Sequence, residues 1–161
     1  MENFKFKKNL GQNFLQDEKV LQRIVDSIEC SKDDCIIEIG PGHGALTKHL
    51  VKYNCPVIAF EIDKEVKPVL DKINADNLRV IYEDFMKVNV KEYLPDNYKN
   101  LYIIANIPYY ITTPILEKII TENLDEKSCT LMVQKEVADR FSAKCGSKEY
   151  SSVTVYLDYY Y

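Results

Sequence analysis

The chain has 161 residues, enough for one domain with a hydrophobic core and too few for two domains of ordinary size. Charged residues make up 29% and hydrophobic residues 46%, as in a water-soluble globular protein, and no apolar run approaches the length that crosses a bilayer. The net charge of −4 disfavours a surface that attracts nucleic acid everywhere, although Lys5, Lys7 and Lys8 form a local basic cluster.

Strands and helices alternate along the chain, which predicts a mostly parallel sheet with helices on both faces. The first predicted element is a helix over Glu18–Ile28 with Asp17 as its N-cap. The elements that follow are predicted, in chain order, at CIIEI (strand), ALTKHLVKY (helix), PVIAFEI (strand), a short helix interrupted near Pro68, LRVIY (strand), LYIIA (strand), TPILEKIITENL (helix), CTLMVQ (strand) and KEVADRF (helix). The polar stretch Glu92–Asn100 is predicted to be a loop.

The last segment, SSVTVYLDYYY, is ambiguous. Val153, Val155 and Leu157 alternate as in a strand, whereas Val153, Tyr156, Leu157 and Tyr160 follow helical spacing, with Ser151 or Ser152 as a possible cap. We favour the helix.

Cysteines and histidines show no ligand pattern. The five cysteines include no CxxC pair, and His43 and His49 lie six residues apart without a cysteine at ligand spacing, so we predict no metal site. The basic N-terminus is not followed by the apolar core of a signal peptide, which predicts a cytoplasmic protein with no membrane partner.

Three glycines, Gly40, Gly42 and Gly44, lie between a predicted strand and a predicted helix. Glycine at such a turn lets the backbone bend sharply and approach a ligand without a β-carbon in the way. The loop is compatible with a nicotinamide cofactor, a flavin or S-adenosylmethionine. Its G-x-G-x-G spacing differs from the G-x-G-x-x-G that brings pyrophosphate to a helix N-terminus, which favours a ligand without phosphate.

Two carboxylates mark the carboxyl ends of the next two predicted strands: Glu61 ends the first of them and Asp84 follows the second. Glu61 lies 21 residues after Gly40, where it can accept from both ribose hydroxyls of an adenosine group or simply end a strand. Asp84, in IYEDF, can accept from an adenine amino group or form a turn. Because the carboxyl ends of parallel strands meet at one sheet edge, the three signals together predict a cofactor site there.

The stretch IIANIPYYITTP, after the fourth predicted strand, indicates a site for an exocyclic adenine amine. This amine is a poor nucleophile because its lone pair is conjugated with the ring. Acceptors for its two N–H bonds, the Asn106 side-chain oxygen and the Ile107 carbonyl, favour the pyramidal nitrogen of the transition state. Pro108 stiffens the turn, and Tyr109 offers a face on which a flipped-out base stacks. The simpler alternative is a strand-to-helix turn with a surface tyrosine.

These stretches, with KKNLGQNFLQD, FEID and LMVQKEVADRF, resemble the ribosomal RNA adenine N6,N6-dimethyltransferases, specifically the bacterial small-subunit enzymes. The resemblance runs from about Lys7 to the last residue. It implies a Rossmann-like class I S-adenosylmethionine-dependent methyltransferase fold, with a doubly wound sheet and residues 1–161 in one domain. It also implies methyl transfer from S-adenosylmethionine to adenosine N6 in small-subunit (16S) rRNA, giving N6,N6-dimethyladenosine during ribosome biogenesis.

The resemblance also assigns roles to single residues. It implies cofactor contacts at Asn13, Leu15, Gly40, Gly42, Glu61, Asp84 and Asn106, and a catalytic turn at Asn106, Ile107, Pro108 and Tyr109. Asn13 and Leu15 rest on the resemblance alone, because spacing indicates only a loop before a helix in GQNFLQD.

The resembled family continues beyond the motifs present here, with further strands, an F-x-P-x-P-x-V segment carrying a second stacking aromatic, and a small helical RNA-binding domain. We therefore expect a methyltransferase domain truncated before its last strands, with impaired turnover. An exposed edge on the fifth strand is expected to favour self-association.

Two other functions stay open. Erm-type enzymes, which methylate adenine N6 in large-subunit (23S) rRNA, share QNF and NIPY, whereas Pro114 and QKEVADRF favour the small-subunit family. A non-catalytic cofactor-binding or ribosome-assembly module is the second alternative, and the presence of Asn106 and Tyr109 disfavours it.

Overall fold

A computed structural model describes residues 17–161, except for the side chain of Tyr109. Among these residues, five strands form one parallel sheet in the order β3-β2-β1-β4-β5. The strands are β1 Cys35–Ile39, β2 Val57–Phe60, β3 Leu78–Ile81, β4 Leu101–Asn106 and β5 Glu126–Met132. The predicted α/β fold with a parallel sheet is confirmed. The basic cluster at Lys5, Lys7 and Lys8 lies outside the described residues.

In the described part of the chain, six α-helices connect and flank the strands: α1 Glu18–Val25, α2 Thr47–Leu50, α3 Lys67–Leu70, α4 Thr112–Glu122, α5 Lys135–Phe141 and α6 Ser152–Tyr160. Short 3-10 helices occupy Val51–Tyr53, Lys64–Val66, Val90–Tyr93 and Tyr109–Ile111. Within residues 17–161 no helix is both long enough and apolar enough to span a bilayer.

The core has two parts because side chains alternate across the strands. Ile37 and Ile103 belong to the part that contains Ile115 and Ile119 of α4. The other part includes residues of α1. Its buried members are Leu21, Val25, Ile28, Ile36, Leu46, Leu50, Cys55, Val57, Tyr102 and Ile104. The sheet is thus buried on both faces, as parallel sheets are.

The first helix ends earlier than predicted. Asp17 is its N-cap as expected, and its side chain accepts from the Lys19 N–H at 2.9 Å. The helix stops at Val25 and not at Ile28, because the Val25 carbonyl accepts instead from the Tyr53 hydroxyl (2.8 Å) and from the Ile28 N–H (3.2 Å). Ile28 remains in the core at 4% exposure, so the apolar stripe continues after the helix ends.

The fifth strand begins earlier than predicted, at Glu126 instead of Cys129, and ends at Met132 instead of Gln134. Its polar start pairs with β4, Glu126 opposite Leu101 and Ser128 opposite Tyr102, with an irregularity between the two pairs. An apolar pattern does not reveal a start that depends on pairing with a neighbouring strand.

The C-terminal segment is a helix, as favoured from its spacing. Ser151 caps α6, and its backbone N–H donates to Thr154 Oγ1 at 3.2 Å. The buried Thr154 hydroxyl donates in turn to the Arg140 carbonyl at 2.7 Å, which joins α6 to α5.

Candidate active site

A cavity of about 420 Å³ lies at the carboxyl ends of the strands. Its lining includes the glycine loop after β1, Glu61 after β2, Asp84 after β3, the turn after β4 and the end of β5 at Met132. The strand order reverses between β1 and β4, which is where ligands bind in open α/β sheets. The structure therefore brings the predicted Gly40, Gly42, Glu61, Asp84, Asn106, Ile107 and Pro108 to one cavity.

The glycine loop has a backbone that other residues rarely adopt. Gly42 has a φ of 55°, in the left-handed region that favours glycine. Gly44 has a φ of 73°, and a β-carbon there would lie 2.4 Å from Ile73 Cδ1. The loop therefore depends on glycine both for its conformation and for its approach to the residues after α3.

Glu61 holds this loop in place. Its exposure is 4%, and its two oxygens accept from different backbone amides: Oε2 from the Gly42 N–H at 2.9 Å and Oε1 from the Asp63 N–H at 2.8 Å. Burial raises the pKa of Glu61, the two amides oppose this shift, and the Asp63 carboxylate adds to it. Each oxygen keeps a second acceptor direction, because a carboxylate has about four such directions in all.

Glu38 is a cavity residue that the sequence patterns did not reveal. It lies within β1 at 2% exposure, and among the described residues its Oε2 has no hydrogen-bond partner. Burial raises the pKa of Glu38 from 4.5 to about 8; the Thr47 hydroxyl, near but outside hydrogen-bond geometry, opposes this, and Glu61 adds to it. A single acidic residue in the otherwise apolar strand CIIEI was the signal that could have found it, because unpaired buried carboxyls are costly.

Asp84 serves as the turn former that its simpler interpretation describes. Its Oδ1 accepts from the Met86 N–H at 3.0 Å, and its Oδ2 pairs with Lys87 at 3.5 Å. It lines the cavity as well, so the turn fixes a carboxylate at the end of β3.

The turn after β4 lies against the glycine loop. A β-carbon on Gly40 would lie 3.5 Å from Ile107 Cγ2. The Pro108 carbonyl accepts from the Ile111 N–H at 3.2 Å, which closes the turn into the 3-10 helix. Asn106 is the last residue of β4 and pairs with Met132, and no hydrogen bond among the described side chains and backbone involves its amide. Its amide is thus available to a ligand in the cavity.

Three predicted site features lie outside the described part of the structure: Asn13, Leu15 and the side chain of Tyr109. The backbone of Tyr109 begins the 3-10 helix after Pro108. Over residues 17–161, no three His, Cys, Asp or Glu side chains converge in a way that could hold a metal ion.

The sequence matches a known protein family along nearly its whole length. The profile described as "Ribosomal RNA adenine dimethylase" matches residues 3–161. The chain belongs to this family. The ribosomal RNA small subunit methyltransferase A of Clostridium botulinum (strain Okra / Type B1) is 47% identical over 98% of this chain and 58% of its own length. The protein of the same name from Listeria innocua is 47% identical over 98% of this chain and 55% of its own length.

Two solved structures agree with the fold. A dimethyladenosine transferase from Plasmodium falciparum is 30% identical, with a TM-score of 0.76 over 89% of this chain and 51% of that one. The 23S rRNA methyltransferase ErmE is 29% identical, with a TM-score of 0.69 over 80% of this chain and 50% of that one. The class I methyltransferase fold expected from the resemblance is confirmed. The chain spans somewhat more than half the length of the curated relatives it matches.

Proposed function

We propose that this chain is the S-adenosylmethionine-binding part of an enzyme that transfers methyl groups to the N6 amine of adenosines in small-subunit (16S) rRNA, giving N6,N6-dimethyladenosine. The observation that carries the proposal is the single cavity that joins Glu61, Asp84 and Asn106 at the ends of three strands. The enzyme would act during ribosome biogenesis in the cytoplasm, and its partner would be the rRNA of the small subunit.

The residues of the cavity suit this cofactor. Its volume of about 420 Å³ lies in the range of small-molecule sites. The remaining acceptor directions of Glu61 suit the two ribose hydroxyls, and Asp84 suits the adenine amino group. The unpaired Oε2 of Glu38 suits the cofactor's ammonium group. Asn13 and Leu15 are proposed as further cofactor contacts on the strength of family membership.

The residues after β4 would prepare the target amine. S-adenosylmethionine supplies, when bound, a methyl group activated by its positively charged sulfur. Asn106 Oδ1 and the Ile107 carbonyl would accept from the two amine N–H bonds and favour a pyramidal nitrogen, while Pro108 keeps the turn rigid. Tyr109 would stack on the flipped-out base. No general base is needed to begin, because the amine loses its proton after it has been alkylated.

The small subunit is favoured over the large subunit as the source of the RNA. The curated relatives named for the small subunit reach 47% identity over 98% of the chain, whereas ErmE is 29% identical. A non-catalytic role is disfavoured because Asn106 and the Ile107–Pro108 turn line the same cavity as the cofactor residues. Because the net charge of the chain is −4, RNA would have to bind at a local basic surface. Lys48 is an exposed cation that lines the cavity.

Two measurements test the proposal. Calorimetric titration of S-adenosylmethionine into the chain should show saturable binding, and absence of binding by a folded chain would contradict the cofactor assignment. Incubation of a family member of full length with labelled cofactor and undermethylated subunits should label the small subunit. Labelling of the large subunit would instead support the Erm-type alternative.

We further propose that the chain on its own is an incomplete domain that self-associates and turns over poorly. β5 lies at the edge of the sheet, and none of its residues is fully buried. On α6 and at its end, Val155, Tyr159, Tyr160 and Tyr161 are exposed. An open strand edge beside exposed apolar side chains is a common route to association.

A further inference from the structure

Tyr110 is an exposed aromatic residue on the rim of the cavity. Six large hydrophobic side chains in the described residues are exposed, and four of them lie on α6 or directly after it. The other two, Ile62 and Tyr110, both at 57% exposure, line the cavity. Ile62 follows Glu61 on the cofactor side, whereas Tyr110 belongs to the turn after β4, on the acceptor side.

The backbone that carries Tyr110 is firmly held. The residue after it, Ile111, donates its N–H to the Pro108 carbonyl at 3.2 Å and packs on the core. The next residue, Thr112, is fully buried and begins α4. A tyrosine that is more than half exposed on a fixed backbone, at the mouth of a binding cavity, offers an amphipathic ring of the kind that is enriched at interfaces.

We propose that Tyr110 stacks on the base of an unpaired nucleotide next to the target adenosine. This inference rests on the proposed function, because it assumes that an RNA adenine enters the cavity toward Asn106. The target base occupies the interior, so its neighbour in the strand remains outside, at the level of the rim. Unpaired RNA bases are commonly recognised by stacking on tyrosine rings, and such stacking tolerates any base because each has an apolar face.

The test is a double-mutant cycle between the ring and the neighbouring base. The probes are short fluorescent single-stranded oligouridylates with one adenosine, either intact or with an abasic site on the 5′ or the 3′ side of that adenosine. Their affinities are measured by anisotropy in a family member of full length that carries this segment, which is the wild-type chain of this test, and in its Tyr110→Ala and Tyr110→Phe variants, in the presence of S-adenosylhomocysteine. Tyr159→Ala is the matched control, because Tyr159 is an 81% exposed tyrosine on α6 that does not line the cavity.

We expect Tyr110→Ala to weaken binding of the intact RNA by roughly 5- to 150-fold, the range for loss of one stacked base. Tyr110→Phe and Tyr159→Ala should retain the wild-type affinity. One abasic RNA should bind the wild-type chain and Tyr110→Ala equally, which would also identify the side on which the stacked nucleotide lies. S-adenosylhomocysteine affinity should not change in any variant.

Equal losses for Tyr110→Ala on the intact RNA and on both abasic RNAs would overturn the stacking contact and leave the proposed function intact. A Tyr110→Phe variant as weak as the alanine variant would overturn it also, since the hydroxyl would then carry the interaction. If the wild-type chain binds S-adenosylhomocysteine but none of the RNAs, both this inference and the RNA-directed function are contradicted.

Discussion

Gly42 donates its backbone N–H to Glu61 Oε2 at 2.9 Å, so the carboxylate after β2 holds the glycine loop after β1. One side chain thereby links two cofactor motifs that are separate in the sequence. Replacement of Glu61 should consequently affect both the ligand and the loop that contacts it.

We expect Glu61→Ala and Asp84→Ala each to weaken S-adenosylmethionine binding, by roughly 1–3 kcal/mol for the loss of an acceptor from a buried partner. Glu61→Gln should lose less, because it keeps one acceptor oxygen. Calorimetry measures the affinities, and circular dichroism shows whether the fold is intact. Unchanged affinity in both alanine variants would contradict the assignment of the pocket.

Asn106→Ala should lower the rate of the chemical step more than it weakens RNA binding, because the amide contact strengthens as the amine becomes pyramidal. Single-turnover kinetics on undermethylated small subunits, with this segment in a family member of full length, separate the two effects. Asn97→Ala, in an exposed loop remote from the cavity, is the control. A variant that changed only the RNA affinity would argue against the proposed role.

Tyr109→Ala should chiefly impair capture of the base, whereas Tyr109→Phe should keep much of the activity, because the ring supplies the stacking. The comparison uses the KM for RNA and kcat in the same full-length context. Equal inactivity of the two variants would show that the hydroxyl is essential and that stacking is not the role of this residue.

Glu38 should make stability depend on pH. Its pKa is raised from 4.5 in the unfolded chain to about 8 in the folded protein, so protonation of the Glu38 carboxyl favours the folded state. The stabilising effect is complete at low pH and is lost as the pH rises from about 4.5 to about 8. Glu38→Gln removes this dependence. As the pH rises through this window, the free energy of unfolding of the variant should therefore increase relative to that of the wild type, by up to about 1.4 kcal/mol per pH unit. Urea denaturation at several pH values measures the difference, and a constant difference would contradict a raised pKa.

The chain should self-associate at high concentration through the β5 edge or α6. Sedimentation velocity over a range of concentrations measures this, and Tyr159→Lys together with Tyr160→Lys should reduce association if α6 is the contact. Association that persists in this double variant would point to the strand edge. A stable monomer with activity on small subunits close to that of a full-length family member would contradict the proposal of an incomplete domain.

Local patterns in the sequence predicted the order and type of the main elements and seven of the residues that line the cavity. Alternating strands and helices, glycines at a strand end and acids after the next strands are short-range features, and parallel strands bring them to one edge by geometry alone. Residue order alone therefore sufficed to place Gly40, Glu61, Asp84 and Asn106 at the same edge of the sheet. The roles of Asn13 and Leu15 rested on family resemblance, since no local pattern marks them.

The tertiary structure decided what depends on contacts between distant parts of the chain. α1 ends at Val25 because the Val25 carbonyl accepts from the Tyr53 hydroxyl. β5 begins at Glu126 because Glu126 pairs with Leu101 of β4. Glu38 became a site residue only through its burial and its unpaired oxygen, and Tyr110 only through its exposure at the rim. Residue type and spacing are encoded locally, whereas burial, exposure and hydrogen-bond partners are set by residues that meet only when the chain has folded.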